Sequence, residues 1–182
     1  MNELARLDHE AFEAINGSLS NSFFDAIMPT LTDLHRSEVA VGLFTLIMIA
    51  WIYRVRKKAW PVLLGLALSV LLSETISYRL VKHYVSRPRP EFTEGVNVNL
   101  RTHSHSGKSF PSLHASNNFA AATFLSTAYS RAAPVFFLIA FIVGMSRVYV
   151  GVHFPADVIG GAIIGILCGL IVRFVLKRSK VT

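Results

Sequence analysis

Ser146-Arg147-Val148-Tyr149-Val150-Gly151-Val152-His153-Phe154-Pro155-Ala156-Asp157 is the polar joint between two apolar runs, Ala132 to Val150 and Pro155 to Leu176. Each run approaches the roughly 20 apolar residues that a bilayer-crossing helix needs. A chain that reverses over so short a joint is a helical hairpin in a membrane, and the joint lies at one bilayer surface. Four groups in it can act together: a fixed cation (Arg147), an imidazole (His153), a carboxylate (Asp157) and a hydroxyl (Ser146). Pro155 suits a first helical position, where its missing N–H costs nothing. His153 then precedes the helix and Asp157 sits in its first turn. From there the carboxylate can reach back, as the acid of a capping box does. It can hold one ring nitrogen of His153 and leave the other free to attack, beside an Arg suited to a phosphate. The same residues also fit a plainer reading, an Arg closing one helix and a capped start of the next.

Bulk composition places this hairpin in a larger membrane assembly. The chain has 182 residues, 52% hydrophobic and 16% charged, with a mean hydropathy of +0.47. That charged fraction is well below the quarter typical of soluble domains. The length allows a single integral membrane domain over 1–182, with no linker or low-complexity tract. A net charge of +7 raises the possibility of nucleic acid, but the basic residues cluster between apolar runs. Such clusters record topology and contact with anionic lipid, so no nucleic-acid partner is expected. One cysteine, Cys168, excludes an internal disulfide. The N-terminus lacks the pattern of a removable signal peptide.

Outward from the joint, Leu113 to Tyr129 opens polar and turns apolar, and Trp60 to Val81 and Ser37 to Tyr53 are further spans. Ser22 to Leu34 is apolar but interrupted by Asp25, Pro29 and Asp33, a short or tilted segment at most. Leu4, Leu7, Ala11, Phe12 and Ile15 follow helical spacing in a polar background, which predicts an amphipathic helix on the membrane surface. The expected fold is all-α: a polytopic membrane helix bundle of five to six transmembrane helices with an N-terminal amphipathic helix. Gly161, Gly165 and Gly169 recur every fourth residue, a face for close helix packing. Glu74 lies inside a span with Ser73 and Ser77 nearby and is read as a packing group in preference to a partner for a site cation.

Loop charges orient the bundle. Arg54 to Lys58, Arg131 and Lys177 to Lys180 share one side, the cytoplasm by the positive-inside tendency. Lys82 to Pro111 and Gly151 to Phe154 then share the opposite side, where Lys82, Arg87, Arg89, Arg101 and Lys108 run against that tendency. An anionic ligand is the simplest reason; a solvated loop touching lipid head groups is the other. In the rigid Arg87-Pro88-Arg89-Pro90 the two arginines point different ways, so only one need face a site. Ser112 is a good N-cap for the next helix, whose first N–H groups offer an anion site, and His114 stands in that first turn. Three separate stretches thus deliver two His, an Asp and several cations to one surface.

In this order, Lys82 with Arg89-Pro90, then Pro111-Ser112-Leu113-His114, then Ser146-Arg147 with His153 and Asp157, the chain resembles the type 2 phosphatidic acid phosphatase superfamily. The resemblance runs from Lys82 to Asp157 and into the last span. It departs at Leu113, where that family usually has Gly or another small or polar residue. The resemblance implies that His153 attacks phosphorus to give a phosphohistidine, Asp157 orients it and His114 serves as acid and base. It further implies that Lys82, Arg89, Ser112, Leu113, Ser146 and Arg147 hold the phosphate, with no metal and no cofactor. His103-Ser104-His105 lacks acidic partners and is weak evidence for a metal. The implied substrate is a lipid phosphate in the bilayer of a bacterial inner membrane, with the site facing the periplasm. Undecaprenyl diphosphate is slightly preferred; lipid A 1-phosphate, phosphatidylglycerol phosphate and phosphatidic acid are alternatives. A larger, soluble vanadium haloperoxidase is disfavoured by the spans, and a non-catalytic lipid-binding membrane protein would not need both His and Asp157.

Overall fold

The computed structural model describes residues 3–33, 37–56, 59–104 and 106–179, and among these it contains helices and no strand. Seven helices carry the architecture: α1 (Glu3–Glu13), α2 (Ser22–Thr32), α3 (Glu38–Val55), α4 (Ala59–Glu74), α5 (Leu113–Ala128), α6 (Ala133–Tyr149) and α7 (Pro155–Arg178). A π-helical turn, Thr75–Val81, and a last α-turn, Lys82–Tyr84, extend α4. Four helical segments are long and apolar enough to cross a membrane: Glu38–Val55, Ala59–Tyr84, Ser130–Tyr149 and Pro155–Arg178. The 16-residue α5 is shorter and starts polar, yet it lies at the centre of the bundle against α4, α6 and α7.

Local chemistry sets the helix boundaries. Asn21 caps α2 by accepting from Phe24 N–H at 3.0 Å, and Ser37 caps α3 through Ala40 N–H at 3.3 Å. Ser112 caps α5 through Ala115 N–H at 3.5 Å. Pro155 opens α7, and Lys177 and Arg178 close it, where cations favour the carbonyl end of the helix dipole.

The α5–α7 contact is made of backbone. A Cβ on Gly161 would lie 2.5 Å from Ser112 O, and one on Gly169 would lie 2.8 Å from Ala120 O. Between them Gly165 faces Ser116 O. Without a hydrophobic drive between helices in lipid, such close approach gives the packing its strength. α4 joins through hydroxyls: Ser73 and Ser77 both hydrogen-bond Ser116, the latter at 2.7 Å. Glu74 beside them is exposed, so the serines and not the carboxylate do the packing there. Lower down, the Phe124 ring fills the space left by Gly65. By contrast α3 buries no residue, and Leu43, Phe44, Leu46 and Ile47 all face outward, as lipid contact allows.

The first segments do not cross. With 11 residues, about 16 Å, α2 is too short. Both its ends meet the last turn of α6: Tyr149 Oη donates to Asp25 Oδ1 at 2.7 Å, and Arg147 Nη1 donates to Thr32 Oγ1 at 2.9 Å. The amphipathic α1 lies over the start of α7, with Phe12 fully buried edge-on against Phe154. Of the two expected counts, the geometry favours five crossings (α3 to α7), with α1 and α2 on the face that holds the joint. Of the basic clusters, Lys57, Lys58 and Lys180 lie outside the described residues, as does Leu34.

Candidate active site

The joint folds as a tight turn that only glycine can make at its centre. Gly151 has φ +90°, and a Cβ there would lie 2.9 Å from Val98 Cγ1. Asn16 fastens the turn by donating to Tyr149 O at 2.8 Å and to Asn99 O at 3.0 Å. After it, Pro155 restarts the helix and Asp157 supplies the acidic half of a capping box, its Oδ2 accepting Phe154 N–H at 2.8 Å. The same Oδ2 lies 3.4 Å from His153 Nδ1. That is long for a hydrogen bond, but Nδ1 has no closer polar partner among the described residues.

His153 is 3% exposed and Asp157 is fully buried. Burial holds the imidazole neutral, pulling its pKa down to about 4; Asp157 opposes this, and the Arg89 and Arg147 cations add to it. With its proton directed at Asp157, the ring presents a lone pair on Nε2. Arg89 Nη1 lies 3.5 Å from Nε2 and is held in place by donating to Val152 O at 2.8 Å. Arg89 Nε is buried without a hydrogen-bond partner among the described residues, a donor aimed at nothing the protein itself supplies. Burial lowers the Arg89 pKa, and Glu91 and Asp157 counter the shift.

Arg89 opens onto a cavity of about 690 Å³, also lined by Arg79, Lys82, His83, Lys108 and Leu113. Lys82, Arg89 and Leu113 are therefore brought to one space, with His153 behind Arg89. The second expected motif is locked to the third: Ser112 N–H donates to Asp157 O at 3.0 Å. That bond places His114, in the first turn of α5, beside the start of α7. It also changes the role available to Ser112, whose N–H is committed to Asp157 O and whose Oγ caps Ala115. The Leu113 N–H has no acceptor within its helix, as first-turn amides do not. Ser146 and Arg147 sit deeper. Ser146 Oγ bonds Thr32 Oγ1 at 3.1 Å and Val143 O at 2.8 Å, and Arg147 is 2% exposed.

Two of the basic loop residues are turned toward carboxylates of the protein and not toward the cavity. Arg101 pairs with Asp25 at 2.6 Å and stacks over the Tyr149 ring at 4.6 Å, bracing α2 against α6. Tyr149 and Arg101 together lower the Asp25 pKa, with burial opposing them. Arg87 turns the other way from Arg89 and binds Asp157 Oδ1 at 2.9 Å. Sequence reasoning missed this contact, along with Thr32, Asp8 and Asn16; the only cue was the divergence of the two arginines around Pro88. His105 of the weak metal pattern lies outside the described residues, and among those described no three His, Cys, Asp or Glu side chains could hold a metal ion.

Similarity to known proteins extends over most of the chain. Phosphatidylglycerophosphatase B of Bacillus subtilis is 30% identical over 171 residues, 87% of this chain and 78% of that protein. Undecaprenyl-diphosphatase BcrC of Bacillus subtilis is 28% identical over 167 residues, 91% of this chain and 82% of that one. The crystal structure of Aquifex aeolicus LpxE superposes with a TM-score of 0.74 at 34% identity, covering 92% of this chain and 94% of that one. The profile of the PAP2 superfamily matches residues 58–180, from the foot of α4 to the end of α7, and this multi-pass membrane protein belongs to that superfamily.

Proposed function

We propose that the protein is a lipid phosphatase that works through a phosphohistidine on His153 and without a metal. The observation that carries this is the pairing of a neutral, buried imidazole, backed by Asp157 at 3.4 Å, with an arginine 3.5 Å from its Nε2 at the mouth of a cation-lined cavity. A phosphate oxygen entering that cavity meets Arg89, and the phosphorus comes into line with Nε2. The Nε2 lone pair forms the P–N bond as the P–O bond to the lipid breaks, and His114 gives the leaving oxygen its proton. Water then attacks phosphorus, passes a proton to His114, and the P–N bond breaks to release phosphate and neutral His153. Lys82, Arg89 and Arg147 hold the equatorial oxygens, with the Leu113 N–H as a further donor. Asp157 stabilises the positive ring as it forms. Ser112 and Ser146, both engaged with protein partners, act by placing Asp157 and Arg147.

The cavity opens where spans end, so a long tail can stay in the bilayer while its phosphate enters. Cations Arg79 and Lys108 beyond Lys82 and Arg89 support a head group with more than one phosphate, and undecaprenyl diphosphate is the preferred substrate. Phosphatidylglycerol phosphate, lipid A 1-phosphate and phosphatidic acid are the alternatives. Arg54, Arg131, Lys177 and Arg178 lie at the bundle end away from the cavity, which supports a bacterial inner membrane with the site at the periplasmic face. One integral domain over 1–182 is the matching organisation.

Purified protein assayed with these four lipids in EDTA tests the reading. Phosphate release that persists in EDTA, stops with vanadate and disappears in His153→Ala is expected. His114→Gln should cost roughly 10²-fold or more on the lipid but far less on nitrophenyl phosphate, whose leaving group needs no proton. Lipid binding with no release from any of the four would favour a non-catalytic lipid-binding protein.

A further inference from the structure

A carboxylate that aims a buried imidazole must itself be held in one rotamer. Capping accounts for only one oxygen of Asp157. The other, Oδ1, accepts from Arg87 Nη1 at 2.9 Å. Arg87 Nη2 in turn reaches Asp8 Oδ2 at 2.5 Å, and Asp8 Oδ1 accepts Ala156 N–H at 2.8 Å. Three hydrogen bonds and the Ala156–Asp157 peptide link close a ring, from Asp8 through Ala156 and Asp157 to Arg87 and back. It joins α1, the loop after α4 and the first turn of α7. The members are well shielded: side-chain exposure is 9% for Asp8, 22% for Arg87 and 0% for Asp157. Aromatic contacts fix the planes, with the Arg87 guanidinium 4.1 Å from the Phe154 ring centroid and His9 stacked on that ring at 4.9 Å.

We propose that Asp8 and Arg87 are positioning residues for the hydrolysis, and that α1 completes the active site from outside the three motifs. The inference rests on His153 being the nucleophile. Arg87 spans two carboxylates as a planar fork, a geometry that lysine cannot reproduce. The group Asp8, Arg87 and Asp157 carries a net charge of −1 toward His153, matching the positive ring of the phosphohistidine. Removing the Asp8 charge leaves that ring facing a neutral pair. Removing the Arg87 charge leaves Asp157 buried beside an empty partner and free to turn away. Neither residue borders the cavity, so neither should alter lipid capture.

The test uses the full chain in mixed micelles with undecaprenyl diphosphate and phosphatidylglycerol phosphate, recording kcat, KM and the pH profile. Asp8→Asn keeps an oxygen for Ala156 N–H but removes the charge and the acceptor that Arg87 Nη2 uses; kcat should fall about tenfold with KM within twofold. Arg87→Lys should lose about as much or more in kcat, and Asp8→Glu should recover part of the loss. The acid limb gives a sign that scaffolding would not. His153 is faced by Asp157, Arg89 and Arg147. With Arg87→Gln the uncompensated Asp157 should move the limb to higher pH, and with Asp8→Asn a more fully neutralised Asp157 should move it lower. If Asp8→Asn and Arg87→Lys both keep kcat within twofold while His153→Ala is inactive, the proposal fails and the mechanism stands. A loss confined to KM also overturns it. Turnover that survives in His153→Ala would sink the mechanism itself.

Discussion

On one side of the cavity, α5 and α7 touch through Gly161, Gly165 and Gly169, and Ser112 N–H is bonded to Asp157 O across the contact. On the other side, Arg79 and Lys82 project from a π-turn and its final α-turn, and Lys108 rides a loop where Nζ donates to His83 O at 2.7 Å. The first wall carries His153, Asp157 and His114 on close-packed backbone; the second carries charge on long side chains. The contrast follows from what each must do. In-line attack tolerates little misplacement, since an error near 1 Å can cost about 10²-fold. Holding a phosphate needs cations within reach, and a flexible ammonium supplies that without fixed geometry.

The comparison breaks most directly at the nucleophile. His153→Ala should lower kcat by about 10⁴-fold or more with folding intact, read from phosphate release and thermal unfolding. Acid tests the same wall. The folded His153 titrates near 4, below its ordinary 6.5, because burial disfavours the charged ring. Between these values the unfolded chain binds the extra proton, so stability rises with pH there. It is fully present above 6.5, and about 3 kcal/mol is lost as pH falls through 4. Unfolding of wild type against His153→Gln, followed from pH 7 to 4, should show the variant losing less. The acid limb of kcat/KM should likewise sit well below 6.5.

Packing gives the next effect. Gly165→Val drives a side chain into Ser116 O and should cost about 1–3 kcal/mol, with kcat falling as α5 lifts from α7. The smallest effect belongs to the second wall. Lys108→Met should raise KM several-fold for a diphosphate, less for a monophosphate, and leave kcat near wild type, since one half-buried, solvent-screened cation contributes about 1 kcal/mol or less. A kcat loss there as large as for Gly165→Val would erase the distinction between the walls.

What the sequence made legible was local. Pro155 and Asp157 announce the start of α7 and its capping box, and the four-residue glycine spacing announces the face that meets α5. The assembly of Lys82, Arg89 and Leu113 at one end of the bundle follows from counting spans between polar loops. The rest depends on partners far apart in the chain. Arg87 and Asp8 are separated by 79 positions, and Arg147 and Thr32 by 115. Neither Asp8 nor Thr32 carries any local mark of its partner. Arg101 illustrates the same limit. Its charge suggested an anionic ligand, but Asp25 neutralises it at 2.6 Å once α2 folds back onto α6. A short apolar segment such as α2 reads as a tilted span because sequence does not register that both its ends return to the same helix terminus.

The π-turn at Thr75–Val81 carries a consequence for how such a protein can diverge. Each residue of an α-helix advances the next side chain by about 100° around the axis. A wide turn arises when one extra residue is accommodated within an otherwise regular helix. Losing a single codon in that stretch would swing Lys82 away from the cavity, and gaining one would bring another side chain to its place. His153 in the joint, Asp157 at the start of α7 and His114 on α5 would not notice. The smallest possible indel can therefore exchange one cation that grips the phosphate while the nucleophile and its acid–base partners are inherited unchanged.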